Sequence, residues 1–455
     1  MKLPMQQRLW WGLAMAALLA GCGGDRPVGA DLLLITIDTL RADHVGSYGY
    51  SRPTTPHIDA LAARGVRFSR CYSGASWTAP AMFTLITGVT PASHGIVHGQ
   101  VDAEPTAGRG SEAQPTAVLQ EVLPDEWTTL AEALRGHGYT TAAFSSNGHL
   151  VRAQGFAQGF DHFDESCIWE RADCVNARVF AWLAAEPPRQ PFFLWVHYFD
   201  PHHDTTRPDR RYDPLPPYTS MFQGAGPPRG VERSMALYDG EIRRTDDAVG
   251  ELLERIGRSA DLATMAIVLT ADHGDEFLER GNWHHTNTVY DELVRVPLIV
   301  VPAGGSGGRL VDTPVALADL LPTLLELAGA PPAGATEGFS LAPLLAGQTA
   351  GEAFAKRGLY GETRRWARLD RRYWVEASHK LIVDRKAGTR ALYDVVADPG
   401  ERHDLAPAEP ESADRMQHAL DEYLAHAERA RHPVPLRRTD DAERIEALRS
   451  LGYLE

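Results

Sequence analysis

The chain has 455 residues, 44% of them hydrophobic, and its 60 Asp and Glu against 45 Lys and Arg give a formal net charge of −15. This composition argues against a disordered chain, because it supplies enough apolar side chains for a sizeable core, and the length predicts about two domains. The acidic balance also argues against nucleic acid as a partner, since phosphate backbones bind basic surfaces.

The first 21 residues have the pattern of an export signal. Lys2 and Arg8 precede an apolar segment at 9–20, which is shorter than the about 20 residues that a membrane-spanning helix needs. Residues 19–22, with the letters LAGC, are similar to the lipobox of bacterial lipoproteins. This resemblance implies cleavage before Cys22 and lipidation of its thiol. The mature protein would then be anchored to a membrane of the bacterial cell envelope, facing the periplasm or the cell exterior.

Three cysteines remain after Cys22. Disulfides persist outside the cytoplasm, so Cys167 and Cys174 are a candidate pair, either bridged or free. Cys71 has neighbours that do not indicate an activated thiol, and we expect it to be a small buried side chain.

Short apolar runs alternate with segments of helical spacing along the first three quarters of the chain. The runs predict buried strands of a mostly parallel sheet at 31–37, 140–145, 192–198, 265–270 and 297–301. The helical spacing predicts helices at 56–64, 127–135, 233–256 and 315–327. This alternation is typical of a doubly wound α/β fold. Two Pro- and Gly-rich stretches, 101–124 and 207–230, are either functional rim loops or plain insertions.

After about residue 350 the pattern changes to short alternating strands. These lie at 374–376, 380–383 and 391–395, and a helix is predicted at 411–429. The pattern predicts a small antiparallel sheet with a helix, packed on the main domain, and a charged helical tail at 440–455. The expected organisation is a signal peptide at 1–21, a lipidated linker at 22–30, the main domain at 31–350, and a C-terminal subdomain with the tail at 351–455.

Thr78 stands at the predicted start of a further helix. Pro80 suits a first helical turn, residues 81–87 can continue the helix, and Gly88 ends it. Free N–H groups and the helix dipole favour a tetrahedral anion beside the Thr78 hydroxyl. A threonine at such a position is more often an ordinary helix cap, so its assignment as a nucleophile depends on residues elsewhere.

Carboxylates follow two of the predicted strands. Asp38 comes directly after the first strand, and Asp272 with His273 follows the strand at 265–270. The carboxyl ends of parallel strands are where α/β sheets build their sites, and these residue types are metal ligands. Turn chemistry is the alternative for an isolated Asp-His pair. Two such strand ends together with Thr78 favour a metal site.

Histidines cluster in two further places. His202 and His285 are the stronger candidates for binding anionic oxygens, and His197, His203 and His284 are weaker ones. Solvated loop histidines are the alternative. A second metal is possible if Asp200, His202 and His285 all turn inward. We expect one metal, because the spacing of these residues is not diagnostic of a second site.

These segments in combination resemble the sulfatase family of the alkaline-phosphatase superfamily, over most of the chain. The segments that carry the resemblance are 38–44 with 46–50, 54–59, 85–88 with 94–95, 272–274, 290–297, and 392–394 with 398–401. The resemblance implies a mostly parallel sheet sandwiched by helices, with a small C-terminal α+β subdomain. It also implies a metal-dependent hydrolase of sulfuric or phosphoric esters.

The sequence departs from the usual sulfatase pattern at the nucleophile. Most sulfatases have Cys or Ser at the position of Thr78, which is converted to formylglycine, and Arg at the position of Met82. Threonine cannot supply that aldehyde, and superfamily members that use threonine directly are mostly phosphodiesterases and phospho-group transferases. The family often has Lys and His to bind sulfate where this chain has Asn147 and His149.

The sequence thus predicts a metal-dependent hydrolase of a sulfate or phosphate ester with a threonine nucleophile. The residues assigned are Thr78, His202 and His285 to catalysis, Asn147 and His149 to substrate, and Asp38, Thr78, Asp272 and His273 to one ion of calcium, manganese, magnesium or zinc. Two alternatives stay open, an envelope phospho-group transferase and a non-catalytic sulfatase-like binding lipoprotein.

Overall fold

The structure, a computed structural model, describes residues 29–98, 100–102, 118–185, 189–203, 212–223, 229–365, 369–439 and 445. The predicted signal peptide, Cys22 and almost all of the predicted tail lie outside these residues. Among the helices of the described residues, none has the length and apolar character needed to cross a membrane.

The described strands and helices alternate through the first 330 residues and then change to an antiparallel pattern. The strands are β1 (Leu32–Ile37), β2 (Val66–Tyr72), β3 (Gln100–Asp102), β4 (Val118–Glu121), β5 (Thr140–Ser145), β6 (His162–Asp164), β7 (Phe192–Tyr198), β8 (Ala266–Ala271), β9 (Glu276–Phe277), β10 (Trp283–His284), β11 (Arg295–Val301), β12 (Arg309–Val311), β13 (Val315–Ala316), β14 (Leu359–Arg365), β15 (Leu369–Glu376), β16 (His379–Asp384), β17 (Thr389–Asp394) and β18 (Leu436–Thr439). The α-helices are α1 (Pro56–Ala62), α2 (Thr78–Thr87), α3 (Pro91–His94), α4 (Leu130–Gly136), α5 (Ala172–Ala185), α6 (Tyr218–Met221), α7 (Gly230–Gly257), α8 (Asp291–Val294), α9 (Leu320–Leu327), α10 (Ala342–Leu345), α11 (Glu352–Lys356) and α12 (Pro410–Ala430).

The central sheet has the strand order β12-β2-β11-β8-β1-β7-β5-β6, with β13 also paired to β2. The pairs β1–β7, β1–β8, β5–β7 and β5–β6 are parallel. Because β1, β7 and β8 are buried along their whole length, they consist almost entirely of apolar residues. The predicted mostly parallel α/β sheet is confirmed.

Strand β11 is a buried central strand, as predicted, but it runs antiparallel to both of its neighbours, β8 and β2. The connection from β8 to β11 contains only the β9–β10 hairpin and the four-residue helix α8. A parallel return usually needs a full crossover helix, so this short connection is consistent with a reversed strand. The reversal brings the loop before β11 to the edge of the sheet where β1 and β8 end.

Two predicted helices begin later than expected. Helix α4 starts at Leu130 because Thr129 and Glu132 form a capping box around its first turn. The helix expected at 315–327 begins with β13, which pairs with β2, and its α-helical part is Leu320–Leu327.

The C-terminal subdomain is a four-stranded antiparallel sheet, β14-β15-β16-β17, packed against α12. It is joined to the main domain through Lys380, whose side chain is fully buried. Its Nζ lies 2.7 Å from Oδ1 of Asp291 and 2.9 Å from Oε1 of Glu401. The predicted packing of the two parts is confirmed, and the boundary at residue 350 stays a prediction.

The cysteines follow their predicted environments. Cys167 and Cys174 form a disulfide, which settles the alternative left open by the sequence. Cys71 is a free, buried side chain in β2.

Candidate functional site

Two carboxylates and an imidazole meet where β1 and β8 end. The strands pair in parallel with Ile37 opposite Ala271, so Asp38 and Asp272 lie side by side. Nε2 of His273 lies 3.8 Å from Oδ1 of Asp38 and 3.4 Å from Oδ2 of Asp272. All three side chains are fully buried. The structure therefore brings together these three predicted metal ligands.

Thr78 joins this group from helix α2. Trp77 is the extended N-cap, Thr78 is the first helical residue, and Gly88 ends the helix with a left-handed φ of 69°. Oγ1 of Thr78 lies 3.3 Å from Nε2 of His273. Helix α2 is buried along its whole length, so the packing of its apolar side chains fixes the position of this hydroxyl.

Asn147 connects the hydroxyl to the carboxylates. Its Nδ2 donates a hydrogen bond to Oδ2 of Asp38 and lies 3.4 Å from Oγ1 of Thr78. Its Oδ1 accepts from the backbone N–H of His149 at 2.7 Å. Asn147 thus contacts the nucleophile candidate itself, whereas the sequence assigned it to substrate.

His149 is buried, with its ring edge-on to two indoles, 5.8 Å from that of Trp77 and 6.5 Å from that of Trp169. Met82 is fully buried in the apolar core, so the position where most sulfatases have arginine brings no charge to the site. Neither observation tests the predicted substrate role of His149.

His197 on β7 is a neighbour of Asp38 to which the sequence gave little weight. Its Nδ1 bonds to Oγ1 of Thr36 at 2.8 Å, and its Nε2 lies 3.5 Å from Oδ2 of Asp38. Trp195 donates to the same Thr36 hydroxyl at 2.9 Å. Burial lowers the pKa of His197 to about 4, so its ring is neutral at pH 7. The sequence could have indicated that His197 lies near Asp38, because His197 is one residue from the carboxyl end of a central strand.

His202 and His285 lie next to the group formed by Asp38, Asp272, His273 and Thr78, called the first group below. The rings of His285 and His273 are 4.6 Å apart between centroids, and those of His285 and His202 are 4.9 Å apart. Nδ1 of His285 lies 3.2 Å from Oδ1 of Asp275. Burial lowers the pKa of both His202 and His285 to about 3, so both rings are neutral at pH 7 in the free protein.

Asp200 does not join these histidines as a ligand group. Its Oδ1 accepts a hydrogen bond from Nη1 of Arg244 at 2.8 Å, and burial, opposed by that arginine, raises its pKa to about 6. The residue that lies with His202 and His285 is instead His203. The condition set for a second metal, that Asp200, His202 and His285 all turn inward as ligands, is therefore not met, because Arg244 on α7 binds the carboxylate of Asp200.

The first group has the chemistry of a divalent-cation site. Oδ1 of Asp38 and Oδ2 of Asp272 are buried, and neither has a hydrogen-bond partner within the described part of the chain. Burial and the neighbouring charge of Asp272 raise the pKa of Asp38 well above its usual range. A cation between the two carboxylates would bind the unpartnered oxygens and would balance the repulsion between their charges. Carboxylate, imidazole and hydroxyl donors suit Ca²⁺, Mg²⁺, Mn²⁺ or Zn²⁺.

Comparison with known proteins supports the same interpretation of the fold. The Sulfatase family model matches residues 30–330, and a model described as N-sulphoglucosamine sulphohydrolase, C-terminal, matches 279–430. Human Arylsulfatase A is 30% identical over 375 residues, covering 73% of this chain and 70% of that protein. The Delta 4,5-hexuronate-2-O-sulfatase of Bacteroides thetaiotaomicron is 24% identical, covering 91% and 92%.

Solved structures share the fold at low identity. A 2-O GAG sulfatase superposes with a TM-score of 0.70 at 22% identity, covering 90% of this chain and 95% of that one. The phosphonate monoester hydrolase of Agrobacterium radiobacter superposes with a TM-score of 0.68 at 19% identity, covering 88% and 95%. Because the family model spans about two thirds of the sequence, the chain belongs to the sulfatase family and is an ester hydrolase with the alkaline-phosphatase-like fold.

Proposed function

We propose that the chain hydrolyses a sulfate or phosphate ester with the hydroxyl of Thr78 as the nucleophile. The observation that carries this proposal is the 3.3 Å separation between Oγ1 of Thr78 and Nε2 of His273, inside a buried group with two carboxylates. A helix-capping threonine on the protein surface has no need of such neighbours. The family assignment supports ester hydrolysis, and the residue types favour direct attack because threonine cannot become formylglycine.

Asp38, Asp272, His273 and Thr78 would hold one divalent ion. When bound, such an ion supplies Lewis acidity that lowers the pKa of the threonine hydroxyl and balances the charge of the attacked group. The residues themselves orient the nucleophile: Asn147 lies within 3.4 Å of Oγ1, and α2 directs the hydroxyl from a buried helix start.

The reaction proceeds in two displacements. Oγ1 of Thr78 gives up its proton and forms a bond to sulfur or phosphorus as the bond to the ester oxygen breaks. The departing alkoxide takes up one proton, so the site neither gains nor loses a proton in this step. Water then attacks the threonyl ester, which restores the hydroxyl and releases sulfate or phosphate. His202 and His285 are the proposed proton carriers, because the ring of His285 lies beside that of His273 and the ring of His202 lies beside that of His285.

The two imidazoles must gain protons when substrate binds. Both are neutral in the free protein at pH 7, since burial depresses their pKa to about 3. A bound anionic group raises the pKa of an adjacent imidazole, so we expect substrate binding to draw protons into the site. The protonated rings would contact the equatorial oxygens and protonate the leaving alkoxide.

The names of the relatives favour a sulfated substrate, but one of them names a phosphonate monoester as substrate. One solved neighbour was determined in complex with D-Glucosamine-2-N, 6-O-disulfate, and another neighbour is a phosphonate monoester hydrolase. The oxygen ligands of the proposed metal site and the neutral histidines beside it suit a sulfate group as well as a phosphate group. The proposal therefore covers both sulfate and phosphate esters.

We also propose that Cys22 carries lipid and anchors the protein in the cell envelope. The support is the lipobox-like run at 19–22 after a short apolar segment. Membrane fractionation together with mass spectrometry of the N-terminal peptide tests this. A lipid-modified Cys22 at the mature N-terminus is expected, and an uncleaved Met1 would contradict the proposal.

The test of hydrolysis uses aryl sulfate, aryl phosphate monoester and aryl phosphodiester with several divalent metals. Thr78→Ala is expected to lose turnover of the preferred ester, whereas Thr87→Ala is the matched control, because the Thr87 hydroxyl donates to the carbonyl of Phe83 within the same buried helix. Added alcohols separate hydrolysis from the transferase alternative, in which the group appears on the alcohol. Turnover that survives in Thr78→Ala would refute the threonine nucleophile.

A further inference from the structure

A second cluster of metal-ligating side chains lies beside the proposed nucleophile group. Asp275 precedes β9, and the β9–β10 hairpin pairs Glu276 with His284, so the hairpin brings His284 close to Asp275. His203 approaches from the loop after β7. Its Nδ1 lies 3.7 Å from Oδ2 of Asp275, and Nδ1 of His284 lies 3.7 Å from the same oxygen.

These two distances are too long for hydrogen bonds, which join nitrogen and oxygen at about 2.7–3.2 Å. They are close to the separation of two ligand atoms on one tetrahedral ion, about 3.4 Å for metal–ligand bonds of about 2.0–2.1 Å. The ligand atoms of all three residues lie within 4.8 Å of one another. The spacing of the ligand atoms is therefore that of a chelating group, and the rings of His203 and His284, which stack with centroids 3.3 Å apart, would turn toward the ion.

Burial of this cluster destabilises the folded protein when no ligand is bound to it. Asp275 is fully buried and His203 is 3% exposed. Nδ1 of His203 has no hydrogen-bond partner among the residues that the structure describes. A buried polar nitrogen without a partner destabilises the folded protein, because it has lost its hydrogen bond to water. A cation in the cluster would use that nitrogen and the buried carboxylate together.

Neighbouring groups fix the carboxylate in place. The hydroxyl of Tyr212 donates a hydrogen bond to Oδ2 of Asp275, and Nδ1 of His285 lies 3.2 Å from Oδ1. Arg41 donates from Nη1 to the backbone carbonyl of Asp275 at 2.9 Å. Such outer contacts are the support that orients metal ligands in proteins.

We infer that His203, Asp275 and His284 form a second divalent-metal site, separate from the Asp38–Asp272–His273 group. Two imidazoles and one carboxylate favour Zn²⁺ and its transition-metal neighbours over Ca²⁺ and Mg²⁺. Three protein ligands leave the fourth position of a tetrahedral ion to water. This site goes beyond the proposed hydrolysis, which uses one ion at Thr78.

The test is the metal content of the full-length protein after chelator treatment, reloading with excess Zn²⁺ and dialysis. The wild type is expected to retain two ions per chain, and His203→Ala and His284→Ala are each expected to retain one. His403→Ala is the matched control, since its imidazole also faces a carboxylate, Asp398 at 3.3 Å, but is 81% exposed. This control is expected to keep both ions. Visible spectra with Co²⁺ should show one tetrahedral site lost in the His203 and His284 variants.

A further variant keeps the inference testable if the histidine variants unfold. Tyr212→Phe removes only the hydroxyl that supports Asp275, and about 10–100-fold weaker Zn²⁺ binding at one of two sites is expected. One ion in the wild type that is unchanged in His203→Ala would overturn the inference. Ester turnover is not the readout, so an inactive protein that binds two ions would refute the proposed hydrolysis and leave this site standing.

Discussion

Oγ1 of Thr78 lies 3.3 Å from Nε2 of His273, although 195 positions separate the two residues in the chain. The contact exists because Asp272 and His273 follow β8 at the same sheet edge from which α2 begins. Both side chains are fully buried. This relationship makes Thr78, the first residue of α2, the candidate nucleophile of the proposed hydrolase.

Asn147→Ala is expected to lower kcat by about 10–100-fold and to leave KM within a few-fold. The amide contacts Asp38 and Thr78, and a hydrogen bond to a charged group contributes about 1.5–3 kcal/mol. His149→Ala provides the contrast, because removing an imidazole that binds substrate should raise KM instead. Steady-state kinetics of both variants on the preferred aryl ester checks this. A raised KM with unchanged kcat in Asn147→Ala would return Asn147 to the substrate role that the sequence predicted.

Asp272→Asn is expected to abolish stabilisation of the fold by Ca²⁺ or Mn²⁺. An ion at about 100 times its Kd adds about 2.7 kcal/mol to the stability of a protein that binds it only when folded. Without metal, the variant should melt no lower than the wild type, because the substitution removes the charge that raises the pKa of Asp38. Thermal melts with and without metal measure both effects.

The control for that experiment is Asp247→Asn. Asp247 belongs to another cluster of carboxylates and histidine, with His57 and Asp246, in which His57 is exposed. The metal response should persist in this variant. An equal loss of response in both variants would show that the stabilising ion binds elsewhere than at Asp272.

Lys380→Met is expected to destabilise the protein by about 3–5 kcal/mol, because it removes the fully buried cation that lies between the carboxylates of Asp291 and Glu401. Denaturant unfolding measures the change. The matched control is Lys356→Met, whose pair with Glu352 is about three quarters exposed on both sides, and little change is expected there. Similar losses of stability in both variants would contradict the role given to burial.

Glu241 predicts a pH-dependent stability. Burial, reinforced by the charge of Asp200 and opposed by Arg171 and Arg244, raises its pKa from 4.5 to about 8. A raised pKa in the folded state contributes stability that is fully present below the unfolded pKa, and this stability is lost as the pH rises through about 8.

Glu241→Gln cannot ionise, so it should melt close to the wild type at about pH 5 and several degrees above it at about pH 9. Thermal melts across this range check the prediction. A constant difference between the two proteins at all pH values would contradict it.

The buried strands were predictable because apolar runs have few alternatives in a protein of this size. The runs at 140–145 and 192–198 match β5 and β7 in both bounds. Strand β2 was missed, since its polar residues Arg67, Ser69 and Arg70 interrupt the apolar run and its burial alternates. The antiparallel direction of β11 was also not predictable, because an apolar run is the same for a parallel and an antiparallel strand. The direction is set by the short connection before β11, which reverses the chain.

The grouping of Asp38, Asp272 and His273 with Thr78 was predictable, because each of these residues stands at the end of a strand or the start of a helix. At such positions the place in the sequence implies the place in the fold. The second cluster was not, since Asp275, His203 and His284 come from loops and a hairpin whose paths depend on tertiary packing. The sequence left the orientation of Asp200 open for the same reason, because its partner Arg244 lies in the middle of α7. A sequence pattern cannot show which of several nearby carboxylates a buried arginine binds.

The proposed role of Thr78 as nucleophile is tested most directly by mass spectrometry of protein that is quenched in acid during turnover of the preferred aryl ester. We predict a sulfo or phospho group on the peptide that contains Thr78, absent in Thr78→Ala and unchanged in Thr87→Ala. A Thr78→Ala protein that still turns over the ester, or a group found on another residue, would contradict the assignment of Thr78.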